Sequence, residues 1–122
     1  MTAFPKLRRR PQACPPPAAA VERPHVALLD EAGWLGPSLG DHYACDPEVG
    51  PATAAIVTAR WQAPDVARLR AAAPGRAVIV IERWGSSPAH AVTALDAGAA
   101  TYVGDAHAEV VRAYIALHLD GA

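Results

Sequence analysis

One phenylalanine, one lysine and two cysteines are all that this 122-residue chain contains of those residue types. Cys14 and Cys45 have no paired spacing, so a disulfide framework is excluded and reduced thiols are expected. Aromatics make up 6% of the chain, so a core must be built mainly from Val, Ile, Leu and Ala. No apolar run reaches the roughly 18 residues that a membrane span requires. The opening MTAFPKLRRRPQACPPPAAAV is basic but has no unbroken apolar stretch of about 7–15 residues, so it reads poorly as a secretory signal. A cytoplasmic location is expected.

What is present is unevenly placed. The net charge is −1, yet residues 1–24 carry Lys6, Arg8, Arg9, Arg10 and Arg23 against Glu22. The remainder carries six arginines against eleven acids. Half of the twelve prolines also fall in the first 24 residues, with PPP at 15–17 favouring an extended, uncored conformation. The chain therefore divides into a Pro-rich basic tail, 1–24, expected to be disordered, and a folded body, 25–122. An acidic body argues against direct nucleic-acid binding by the folded domain, and only the tail would meet a polyanion.

Within the body, apolar runs recur without alternation at HVALLD (25–30), TAAIVTA (53–59), AVIVI (77–81) and ATYV (100–103). Such runs point to strands buried on both faces, as in a parallel sheet. HYAC (42–45) reads as a weak edge strand. Between the strands lie helical segments. EAGWLGPSLG (31–40) is poor helix material because of its glycines and Pro37. DPEVG (46–50) has room for about one helical turn. Pro64-Asp65 opens a helix whose face is Val66, Leu69 and Ala73. Ser87-Pro88 opens another, with a stripe of Ala91, Val92, Ala94 and Leu95 and a left-handed stop at Gly98. A closing helix follows Asp105, with a stripe of Val110, Ala113, Tyr114 and Leu117. The alternation implies an α/β fold: a five-stranded parallel sheet with helices on both faces, right-handed crossovers, and shortened first and second helices. Sites in such folds lie at the carboxyl ends of the strands.

AVIVIERWGSSPAHAVTALDAGAATYV (77–103) resembles the fourth strand, fourth helix and fifth strand of the receiver domain of bacterial response regulators, which is CheY-like in fold. LLDE (28–31) is similar to that family's first strand with its acidic pair. The resemblance implies a flavodoxin-like, doubly wound five-stranded sheet in the order 2-1-3-4-5, and phosphoryl transfer to an aspartate in two-component signal transduction. That chemistry uses an acid pair for Mg²⁺, an acceptor Asp ending the third strand, a Thr or Ser ending the fourth and a Lys ending the fifth. Only the acid pair is matched, by Asp30 and Glu31, as a weak, vestigial metal site. The acceptor position falls on Thr58 and Ala59, the hydroxyl position on Glu82 or Arg83, and the lysine position on Asp105. The pocket is thus expected to be degenerate. Arg60 or Arg83 would neutralise an acidic mouth in which Glu82 and Asp105 converge, giving a salt network in place of a phosphate site.

Other chemistry finds little support in the residues. Histidines 25, 42, 90, 107 and 118 lack metal-ligand spacing. Ser86-Ser87 with His90 reads as a helix cap rather than a nucleophile pair. No cofactor and no enzymatic activity are expected. Trp61, Trp84, Tyr102, His107 and Tyr114 are candidates for interaction or ligand contact, with Tyr102 at the family's switch-aromatic position, expected here to be a fixed packing residue. Trp34 is expected to fill the space left by the short first helix. In the family, the fourth helix, fifth strand and fifth helix mediate association, and no output domain is expected after Leu119. The leading expectation is therefore an atypical, non-phosphorylatable receiver-like module. It would associate as a homodimer or with a protein partner, in signalling or transcription regulation. The alternative is a small-molecule sensor with a pocket near Trp61 and Trp84.

Overall fold

The computed structural model describes residues 23–120, so residues 1–22 of the basic tail expected at 1–24 lie outside the described residues. Strand β1 is His25–Leu28. It runs into a 3-10 turn, Asp30–Leu35, and a single α-turn, α1, Gly36–Leu39. Then follow β2, Ala44–Asp46; β3, Thr53–Thr58; α2, Ala63–Ala72; β4, Ala77–Ile81; α3, Pro88–Asp96; β5, Thr101–Val103; and α4, Ala108–Asp120. All pairings are parallel and the order is β2-β1-β3-β4-β5. The parallel sheet is the one expected from the four unbroken apolar runs, and its order is the flavodoxin-like, CheY-like one that the resemblance implies.

The sheet is buried on both faces, which is why its strands do not alternate. In β4, Ile79 and Ile81 turn to one side, where Val26, Leu28, Val57, Leu35, Leu39, Val111 and Ile115 pack. Val78 and Val80 turn to the other, against Ala27, Ile56, Val66 and Ala94. The second layer is thin because alanine faces the strands: Ala94 is α3's one fully buried side chain.

Three expectations are corrected. DPEVG (46–50) forms no helix. Asp46 ends β2 and accepts from His25 Nδ1 at 2.8 Å, so the crossover to β3 is a bend rather than a shortened second helix. The α3 stripe is misassigned, because Val92 and Leu95 are 59% and 46% exposed and Ala94 takes the core position. The α4 stripe is also turned around. Val111 and Ile115 are buried, whereas Val110, Tyr114 and Leu117 are 43%, 37% and 62% exposed. Each helix carries two apolar stripes, and periodicity alone does not say which one meets the sheet.

Candidate functional site at the carboxyl edge

β1, β3, β4 and β5 deliver their next residues to one edge, and three of the acids there, Asp30, Glu82 and Asp105, each find a partner. Asp30 follows β1 in a left-handed conformation, φ 55°. Its Oδ1 meets Arg60 Nε at 2.9 Å, and its Oδ2 accepts from Thr58 Oγ1 at 3.0 Å. Thr58 is completely buried, and its oxygen also accepts from the Arg60 amide at 3.1 Å. The hydroxyl that ends β3 thus ties the acid of β1 to the arginine that follows it. Asp30 raises the pKa of the exposed Arg60 guanidinium, through the hydrogen bond first and charge second.

Asp105 occupies a second left-handed position, φ 48°. Its carboxylate accepts from the Gly85 amide at 2.8 Å, and its own amide donates to the Gly85 carbonyl at 2.7 Å. Aspartate tolerates this conformation better than most residues, and its short side chain reaches a nearby backbone N–H. An acid follows β5 because it staples the β5–α4 turn to the β4–α3 loop.

Glu82 points elsewhere. Its Oε1 accepts from the Tyr102 hydroxyl and lies 2.9 Å from His90 Nδ1. The Tyr102 oxygen accepts from the Ser87 amide at 3.0 Å, and Ser87 Oγ caps α3 by accepting from the His90 amide at 3.2 Å. The His90 ring lies flat against Trp61, with centroids 3.7 Å apart and planes 12° from parallel. Burial raises the Tyr102 pKa, and the bond to Glu82 adds to the effect. Glu82 and Asp105 therefore do not converge, and the crowded acidic mouth expected between them does not form. Tyr102 packs beside the Ala27–Ile56 core cluster and is held at its hydroxyl. Ser87 is a helix cap, as its position before Pro88 implied.

Arg83 does not pair with an acid. Its guanidinium lies 4.5 Å from the Trp34 ring centroid and 4.8 Å from that of Trp84. This stacked cation is not legible from sequence spacing, since Trp34 arrives from the 3-10 turn. The three residues line a cleft of about 450 Å³ with Glu31, Ala59, Ile81 and Glu82. Trp61 is not part of that cleft, so the two tryptophans expected to share a pocket are separated. Trp84 is 81% exposed, and His107 also faces solvent.

The family's Mg²⁺ does not fit these residues. Divalent cations of this kind need several oxygen ligands. Asp30 and Glu31 offer one adjacent pair, and Arg60 and Thr58 already hold Asp30. Among the described residues no three His, Cys, Asp or Glu side chains gather as a metal site. A phosphoryl group would likewise meet Asp105 where it needs a cation. The chain's one lysine is Lys6, outside the described residues.

The geometry defines the fold class as a flavodoxin-like, CheY-like α/β domain. No protein-family profile matches the chain, and no curated protein matches it. The fold is similar to that in a crystal structure of a response regulator protein from Burkholderia pseudomallei with a phosphorylated aspartic acid, calcium ion and citrate. The match has a TM-score of 0.61 and 19% identity, and it covers 80% of this chain and 69% of that one. At that identity the likeness is one of fold.

Proposed function

We propose that this chain is a receiver-like signalling module that does not accept a phosphoryl group and that works by association, with a second copy or with another protein. The observation carrying this reading is the closed carboxyl edge. β3 ends in Thr58-Ala59 rather than in an acceptor, Arg60 occupies Asp30, and Asp105 is spent on Gly85. The likeness of fold to a response regulator supports the signalling role.

Association would use the side made by α3, β5 and α4, which correspond to the family's fourth helix, fifth strand and fifth helix. Val92 and Leu95 on α3, and Val110, Tyr114 and Leu117 on α4, are exposed apolar groups on these two helices. The α4 group lines a shallow apolar depression with Ala113. Exposed apolar surface of this kind favours protein contact. Light scattering after size exclusion tests it: Leu117→Glu is expected to convert an associated species to monomer. A wild-type monomer that captures no partner would remove the interaction role. Incubation with acetyl phosphate and Mg²⁺, followed by intact mass, tests the chemistry, and an added phosphate would overturn the reading.

A second reading, a small-molecule sensor, is favoured by the Trp34–Arg83–Trp84 cleft. Saturable change in tryptophan fluorescence on ligand addition, lost in Trp84→Ala, would support it.

A further inference from the structure

At the opposite, amino edge of the sheet lies a cavity of about 730 Å³. Ala54, Ala67, Ala71, Ala77, Val78 and Ala100 line part of it, from β3, α2, β4 and the residue before β5. Its polar lining includes Arg70, Arg76 and His118, and none of its lining residues is acidic. This is unusual in a body with eleven acids and six arginines beyond residue 24. Neither Arg70 nor Arg76 has a carboxylate partner among the described residues.

Two of these side chains also have a structural reason. Arg70 is in the last turn of α2, and His118 is in the last turn of α4, where helix carbonyls carry partial negative charge. The magnitudes separate the two roles. Each helix end supplies about half a negative charge, against a full positive charge on each arginine. Arg76 stands outside any helix. Arg70 lies across Gly98, at φ 110°, where a Cβ would collide with the guanidinium, so the absence of a side chain there makes room for the arginine. The His118 ring is oriented by the Thr101 hydroxyl, 2.8 Å from Nε2.

We infer that this cavity binds a small organic phosphate of roughly nucleoside monophosphate size, with the phosphate held by Arg70 and Arg76 and the flat body laid against the alanine wall. Ligand pockets commonly occupy about 300–1,000 Å³, with apolar walls and a few convergent polar groups. Arginine forks match phosphate oxygens in pairs. The site is at the far edge of the sheet from the closed pocket and does not depend on the association proposed above.

The test is calorimetric titration of the full chain with AMP, adenosine and inorganic phosphate at low salt. AMP is expected to bind saturably with Kd at or below about 1 mM, and both fragments at least tenfold more weakly. Arg70→Gln with Arg76→Gln should weaken AMP roughly tenfold or more. Arg76→Gln alone, at an exposed position outside the helices, should weaken it several-fold while leaving the circular dichroism and melting temperature unchanged. No saturable AMP binding, equal affinity for inorganic phosphate, or unchanged affinity in folded Arg76→Gln would each overturn the inference.

Discussion

At the carboxyl edge of the sheet Asp30, Glu82 and Asp105 each have a partner inside the fold, whereas at the amino edge Arg70 and Arg76 have none among the described residues. The first edge is where this fold ordinarily places its chemistry. Here its polar groups are spent on one another, so they contribute to stability and to loop geometry. The second edge is ordinarily a place of tight turns and helix ends. Here it has space and two arginines with no carboxylate partner among the described residues. The contrast teaches that the expected site of a fold and the site with free polar capacity can lie at opposite ends of the same strands.

Several changes would break or sharpen that contrast. The largest effect is expected from Glu82→Ala, which removes the acceptor of both Tyr102 and His90. Hydrogen bonds to charged groups contribute about 1.5–3 kcal/mol, and chemical denaturation should register a loss in that range. Asp105→Ala should cost about 1–2 kcal/mol, because the Gly85 amide loses its acceptor and alanine must hold φ 48°. Its lysine counterpart, Asp105→Lys, should be destabilised similarly and should still gain no phosphate by intact mass, since β3 supplies no acceptor. Thr58→Val keeps the shape of a buried side chain but removes a hydroxyl that both donates and accepts, and about 1 kcal/mol should be lost.

The Tyr102 pKa is raised in the fold, so the unfolded chain gives up this proton first as pH rises. The associated stability is complete below the ordinary tyrosine pKa of about 10 and is lost as pH climbs through the higher folded value. Thermal melts between pH 9 and pH 11 should show this loss, and Tyr102→Phe should show less of it. The smallest effect belongs to the other edge: Arg76→Gln should change stability by no more than about 0.5 kcal/mol. If it cost as much as Thr58→Val, the unpaired cations would be structural and the contrast between the edges would fail.

The sheet was legible because burial on both faces leaves a plain mark, an apolar run of strand length. AVIVI, at 77–81, appears in the structure with those same bounds. The helices were less legible. In α4 both the Val110–Tyr114–Leu117 and the Val111–Ile115 sets have helical spacing, and only the second is buried. At the carboxyl edge, the sequence points to Arg60 or Arg83 as the neutralising group, and Arg60 fills that role at Asp30. His90 was set aside as part of a capping segment, although a histidine in the first turn of α3 can reach back to the strand-end Glu82. Arg83 was expected to seek a carboxylate and instead stacks between two indoles, one of which comes from about fifty residues earlier. Arg70, Arg76 and His118 carried no motif at all.

By itself the order of residues determined the parallel sheet and the residues at the ends of its strands, Thr58-Ala59 at the end of β3 and Asp105 after β5. These follow from runs, turns and residue identities that are local in the chain. Tertiary structure alone decided which stripe of each helix is buried, that Asp105 serves the Gly85 amide, and that Arg70, Arg76 and His118, from separate segments, line one cavity. Those outcomes depend on the rotation of each helix against the sheet and on distances across crossovers, which no local spacing encodes.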